Sequence, residues 1–204
     1  MSQSKASAPP PPIGQPYPIE TAFEPPGPVN DLYRIAAVDF ITLLSKIGMQ
    51  GLSDYRVYGR DKISDATMRR APGRPLLSVS NHRCVVDDPA TLSAMLTWSE
   101  VHQINRMRWG LCAREVCFKK KFLEPFFHAV KVFPIERGAG VYQPSMQTLQ
   151  LRFNAGEWVH IFPEGRVVQT EDLGPFKWGM HMRRPVVEMI CIMEMNRTLN
   201  SHFG

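Results

Sequence analysis

The sequence predicts an α/β fold: one domain built on a mostly parallel central β-sheet flanked by helices. Three observations lead there. Short apolar runs of strand character end in loops holding polar or glycine residues, as ligand-binding loops do at the strand ends of open α/β sheets. Segments of helical periodicity lie between those runs. The 204 residues, 44% of them hydrophobic, are enough for one substantial core.

The elements follow in order. Residues 1–28 hold nine of the eighteen prolines, four of them in the row Pro9 to Pro12, and favour extended polyproline conformations that cannot pack a core. Asn30-Asp31 is a plausible N-cap for a helix carrying Leu32, Ile35, Ala36, Phe40, Ile41, Leu43, Leu44 and Ile47 toward Gly48. Arg34, Asp39, Ser45 and Lys46 interrupt its apolar face, which suits a helix lying in a membrane interface over residues 29–51. An ordinary amphipathic helix capping the core has the same pattern.

A polar stretch with Gly59, Asp61, Asp65, Arg69, Arg70 and Gly73 precedes the first strand, Pro75 to Ser80, which delivers the chain to Asn81-His82. Asp88-Pro89 offers a cap and a proline at the first helical position for a helix over 89–98. Residues 106–121 hold Arg106, Arg108, Arg114, Lys119, Lys120 and Lys121 against the single acid Glu115. A second strand, Ala129 to Ile135, ends at Glu136-Arg137-Gly138-Ala139-Gly140. A helical face of Pro144, Met146, Leu149 and Phe153 stops near Gly156, and a third strand, Trp158 to Phe162, runs into Pro163-Glu164-Gly165.

A net charge of +5 and an isoelectric point near 9.2 suggest an anionic partner, which lipid phosphates and nucleic acids satisfy alike. No recognised nucleic-acid motif accompanies the basic segment. Cys84, Cys112, Cys117 and Cys191 form no C-x-x-C pair and are read as reduced or merely buried thiols. His102 with Cys112 and Cys117 lacks zinc-ligand spacing, so no metal and no cofactor is expected. No apolar run reaches the ~18–20 residues of a spanning helix, and the N-terminus has neither signal-peptide nor transit-peptide composition.

The sharpest constellation is His82-Arg-Cys-Val-Val-Asp87, an H-x4-D pattern between a strand and a helix. Acyl transfer onto an alcohol requires removal of the hydroxyl proton as oxygen attacks the carbonyl, and neutral imidazole suits that near neutral pH. A carboxylate on the other ring nitrogen fixes the tautomer and stabilises the imidazolium. On spacing alone, a His82 bonded to a backbone carbonyl and an Asp87 or Asp88 capping the helix is the commoner outcome. Phe162-Pro163-Glu164-Gly165-Arg166 can present backbone N–H groups or Arg166 to a phosphate, or can be a plain turn with Glu164 in solvent. Arg137-Gly138 can grip a phosphodiester through two hydrogen bonds, although lone arginines are usually solvated.

In combination, H-x4-D, Arg-Gly and Phe-Pro-Glu-Gly form, in that order, the motif series of the glycerophospholipid acyltransferase superfamily, which the chain resembles over roughly residues 30–187. Within it the chain is similar to the tafazzin branch, through Ser80-Asn81-His82, Asp87-Asp88-Pro89, Met107-Arg108-Trp109, Arg137 to Gln143, Trp158 to Gly165 and Phe176-Lys177-Trp178-Gly179.

The resemblance implies a glycerol-3-phosphate acyltransferase-like domain over 52–188 with His82 and Asp87 as the catalytic dyad. Asn81, Arg137, Gly138, Phe162, Pro163, Glu164 and Gly165 would contact phospholipid. It further implies a CoA-independent exchange of acyl chains between phospholipid and lysophospholipid, cardiolipin remodelling, and a peripheral or monotopic place on a mitochondrial membrane facing the intermembrane space. An acyl-CoA-dependent lysophospholipid acyltransferase keeps the same dyad. Residues 189–204 depart from the family pattern and are expected to form an atypical tail after a strand begun at Arg183 to Val187. That departure admits a third reading, a truncated, non-catalytic membrane-binding protein.

Overall fold

The computed structural model describes residues 30–52, 54–84, 87–88, 92–140 and 142–169, together with the strand Glu188–Ile192. The Pro-rich segment 1–28, the start of the helix expected from 89, Phe176 to Gly179, the strand start at 183–187 and the tail beyond Ile192 lie outside the described residues.

Among the described residues five strands carry the fold: β1 (Leu76–Ser80), β2 (Gly110–Ala113), β3 (Val132–Ile135), β4 (Trp158–Ile161) and β5 (Glu188–Ile192). β1 pairs in parallel with β4 on one side and β5 on the other, and β2 pairs in parallel with β3. A parallel bridge between Trp109 and Val159 joins the two groups, with Trp109 N–H donating to the Trp158 carbonyl at 2.8 Å and His160 N–H to the Trp109 carbonyl at 2.9 Å. The spatial order is therefore β5-β1-β4-β2-β3, and the described pairings are all parallel, as the sequence predicts. Pro134 is accommodated in β3 because that strand is paired with β2 alone among the described strands, and proline is tolerated where no N–H is needed.

The strands alternate their side chains between two cores. Leu76 and Trp158 face a cluster with Val38, Leu92, Leu96, Val101 and Phe118, whereas Leu77, Val79 and Val159 face one with Phe133, Leu149 and Phe153. Helices therefore cover both faces, which is why the buried residues of β1 do not alternate with exposed ones. The second face is covered by α7 (Pro144–Asn154), placed as its periodicity predicts.

The first helix, α1 (Asp31–Lys46), starts where predicted: the Asn30 side chain accepts a hydrogen bond from Leu32 N–H. It then passes into a π-helical turn, Ile47–Gly51. The face turned toward the body carries Ala37, Val38, Thr42 and Ser45, while Leu32, Phe40, Leu43, Leu44 and Ile47 are at least half exposed among the described residues. A helix that caps a core does the opposite.

Several expectations are corrected. The polar stretch after Gly59 forms α2 (Arg60–Met68), which buries Ser64, Thr67 and Met68; with two of the three polar, no hydrophobic period shows. The helix expected to run to residue 98 is described as α3 (Leu92–Met95) and ends there. Thr97 then starts α4 (Trp98–Val101) with a reciprocal capping box to Glu100, a T-x-x-E signal visible in the sequence.

The basic segment contains β2 followed by α5 (Arg114–Cys117), and Ala129 closes α6 (Glu124–Ala129) rather than opening a strand. Lys131, at φ 61°, makes the turn into β3. Cys112 and Cys117 form a disulfide across the β2–α5 junction, so they are not free thiols; five residues apart and bracketing one helical turn, they are brought within bonding range. Cys84 is free and exposed. Finally, β5 continues past Glu188 to Ile192, where the sequence was expected to leave the strand pattern: its backbone pairs with β1 from Leu76 to Ser80.

Candidate active site

The parallel order sends β1, β4, β2 and β3 to the same edge of the sheet, and the loops that leave β1 and β4 lie side by side there. Period-two alternation does the rest. Residues 76, 78 and 80 of β1 share a face with 158 and 160 of β4, and one step further on that face stand His82 and Phe162.

Contacts run along this row. Trp158 Nε1 donates to Ser78 Oγ at 2.7 Å, and the His160 imidazole bridges Ser78 at 2.8 Å and Ser80 at 3.2 Å through its two nitrogens. The Phe162 ring meets His160 edge-on at 4.8 Å and stacks on His82 at 4.1 Å. Burial, with lesser contributions from the Arg108 and His82 charges, pushes His160 down to about 3, so it is a neutral tie between β4 and β1.

His82 Nδ1 lies 3.1 Å from Asp87 Oδ2. The same oxygen accepts the backbone N–H groups of Arg83 at 2.6 Å and Cys84 at 2.8 Å. Asp87 is buried and thus locked from three directions; it orients the imidazole rather than capping a helix. The His82 N–H donates to Glu164 Oε2 at 3.2 Å, and the His82 carbonyl accepts from Val168 N–H at 2.7 Å. Glu164 is therefore buried against the dyad rather than solvated. These bonds fix the backbone on both sides of the imidazole.

Of the residues singled out from sequence, His82, Asp87, Phe162 and Glu164 come together directly. Buried Asn81 precedes the dyad, while buried Pro163 and exposed Gly165 complete the turn after β4. Arg137 and Gly138 stand at the same sheet edge in the loop after β3. That loop is three inter-strand spacings from β1, about 14 Å. Arg137 pairs with Glu115 at 3.2 Å, and Gly138 takes φ 82°, which favours glycine. Gln143 braces the loop by accepting from Glu136 N–H at 2.8 Å and donating to the Gly140 carbonyl at 2.7 Å.

Arg108 and Asp88 were missed as supporting residues. Both are almost fully buried and form an ion pair just behind Asp87, and burial lowers the Arg108 guanidinium to about 10. A side chain at Gly110 would come within 2.5 Å of Asp88 Oδ2, so glycine there makes room for the pair. Asp-Asp in the H-x4-D turn is the available sequence signal: the first carboxylate serves His82 and the second needs a cation. Among the described residues, no group of three or more His, Cys, Asp and Glu side chains comes together to hold a metal.

The sequence is similar to known proteins over much of its length. A tafazzin of Drosophila melanogaster is 31% identical over 171 residues, 82% of this chain and 45% of that protein. An N-acylphosphatidylethanolamine synthase of Arabidopsis thaliana is 34% identical over 138 residues, 66% of this chain and 48% of that protein. A Dictyostelium discoideum protein named taffazin is 38% identical over 107 residues, 52% of this chain and 37% of its own length. The chain spans about half the length, or less, of these relatives. The profile of the Acyltransferase family matches residues 54–188, which contain His82, Asp87 and strands β1 to β4 and reach the start of β5. The chain belongs to the Acyltransferase family.

Proposed function

We propose that this chain carries the acyl-transfer site of a phospholipid–lysophospholipid transacylase acting at a membrane surface. The observation that carries the reading is the buried Asp87 carboxylate, held by two backbone N–H groups and set against His82 Nδ1. The lysophospholipid hydroxyl gives its proton to His82 Nε2 as its oxygen attacks the ester carbonyl of the donor phospholipid. The new ester C–O bond forms, the donor's C–O bond breaks, and the proton passes from His82 to the departing oxygen, giving a second lysophospholipid. Asp87 stabilises the imidazolium between the two transfers. The balance needs no metal and no coenzyme.

The outward apolar face of α1 supports membrane contact. Leu32, Phe40, Leu43, Leu44 and Ile47 can enter the acyl-chain boundary. Among the described residues, no helix is long and apolar enough to cross a membrane. Likeness to tafazzins supports cardiolipin remodelling at a mitochondrial membrane facing the intermembrane space as the setting. A role for Arg137, Gly138 and the Phe162 to Gly165 turn in holding lipid phosphate follows from their common sheet edge. Likeness to an N-acylphosphatidylethanolamine synthase favours a second reading in which the acceptor is the amine of phosphatidylethanolamine, with the same dyad taking its proton.

The test is to incubate the chain with acyl-labelled phosphatidylcholine and unlabelled lysophospholipid in bilayers without CoA, beside His82→Ala and Asp87→Asn. Transfer by the parent, none by His82→Ala and a rate lowered about 10²–10⁴-fold in Asp87→Asn is the expected result. Label moving only when acyl-CoA is supplied overturns the transacylase reading, and label moving onto phosphatidylethanolamine nitrogen establishes the second.

A further inference from the structure

At the opposite edge of the sheet, where β2, β3 and β4 begin, a pocket of about 400 Å³ opens among Arg34, Lys131, Arg152, Glu157, Trp109 and Phe133. The acyl-transfer site, at the strands' carboxyl ends, makes no use of it. Arg34, Lys131 and Arg152 line it together with one carboxylate, Glu157. Glu157 is already engaged: it pairs with Arg152 at 3.3 Å and Lys131 at 3.7 Å, and it accepts the Trp109 indole N–H. The described side chains therefore leave an excess of positive charge.

Lys131 is built in, whereas Arg34 is partly buried and Arg152 partly exposed. Lys131 is 3% exposed, sits at φ 61° in the left-handed region that lysine seldom adopts, and donates to the Met107 carbonyl at 3.1 Å. Its ammonium lies 5.1 Å from the Trp109 ring, and the Arg152 guanidinium 4.9 Å. Burial pushes Lys131 down to about 8 despite Glu157, while Arg34 and Arg152 push the same way. Arg34 Nε is buried without a hydrogen-bond partner among the described residues. Glu157 is shared between Lys131 and Arg152, and the unsatisfied Arg34 guanidinium N–H is costly unless an acceptor completes it.

We infer that this pocket is a phosphate-binding site, separate from the acyl-transfer site, which takes a phosphate group through Arg34, Lys131 and Arg152. The fork of Arg34 and that of Arg152 suit phosphate oxygens, and the volume admits a phosphate with part of its ester. Arg34 belongs to α1, two positions from Leu32 and one from Ile35 on the outward apolar face, so a lipid head group and a free phosphate are both within reach of this chemistry.

Inorganic phosphate is titrated calorimetrically into the parent, Arg152→Gln, Arg34→Gln and Glu157→Gln. In parallel, each is sedimented with phosphatidylcholine vesicles with and without phosphatidylglycerol, and circular dichroism verifies folding. Saturable phosphate binding that weakens about tenfold in Arg152→Gln and Arg34→Gln, the loss of one charge-assisted contact each, and tightens in Glu157→Gln is the expected result. Vesicle binding that follows the same order only when phosphatidylglycerol is present assigns the pocket to a lipid head group, and phosphate binding without that order assigns it to a free phosphate. The inference is overturned if the parent binds neither probe, or if folded Arg152→Gln and Arg34→Gln bind both as the parent does. His82→Ala binds as the parent, which separates this outcome from any failure of acyl transfer.

Discussion

Phe162 lies flat on the imidazole of His82, ring centroids 4.1 Å apart and planes 19° from parallel. Asp87 holds the ring at Nδ1, but a single hydrogen bond leaves the imidazole free to rock about it. The stack removes that freedom. Phe162→Ala is expected to lower the turnover of acyl transfer about fivefold to tenfold, in keeping with an aromatic contact worth about 1 kcal/mol, while KM for the acceptor changes less. Steady-state kinetics of Phe162→Ala and the conservative Phe162→Tyr check this: Tyr restores the rate if the stack is what matters.

His160 links stability to pH. In the folded chain it titrates near 3, against 6.5 when unperturbed, so between those values the unfolded chain binds the additional proton. Its contribution is fully present above about 6.5 and is lost as pH falls toward 3. His160→Gln, which keeps donors and acceptors for Ser78 and Ser80, is expected to flatten the dependence of urea-unfolding stability on pH across that window. An unchanged slope would remove His160 as its source.

The Arg108–Asp88 pair is buried on both sides, so removal of one partner strands the other. Arg108→Ala is expected to cost about 3–5 kcal/mol in chemical denaturation. The double change Arg108→Met with Asp88→Leu, which strands no charge, is expected to recover most of it.

On α1 the reverse holds. Leu43 and Leu44 are half exposed or more, so Leu43→Gln with Leu44→Gln is expected to leave unfolding free energy within about 0.5 kcal/mol of the parent. Flotation with phosphatidylcholine vesicles should show reduced binding.

Much of this site was legible because strand alternation is a strong local rule. The runs Leu76 to Ser80 and Trp158 to Ile161 specify two buried strands, and their parity carries His82 and Phe162 to one face. The Asn30 cap and the α7 face were legible for similar reasons. What escaped was set by partners distant in the chain. β2 is four residues opened by a glycine, and Gly110 is there for Asp88, twenty-two positions earlier. Arg108 looked like one more solvated cation in a basic segment until burial gave it Asp88. The Cys112–Cys117 bond joins side chains that a strand and a single helical turn bring together, which spacing alone does not specify. The outward face of α1 could not be told from an inward one, since periodicity reports a stripe and not the direction it points.

The order of the strands has a consequence for how the protein is made. β1, which leads into His82, is sandwiched between β4 and β5, and β5 ends at Ile192. While the ribosome has yet to release β5, β1 is a bare sheet margin of Leu-Leu-Ser-Val-Ser, able to recruit any passing strand. His82 is thus translated early and secured late, and a nascent chain halted before Glu188 would carry its motif on an open, adhesive border.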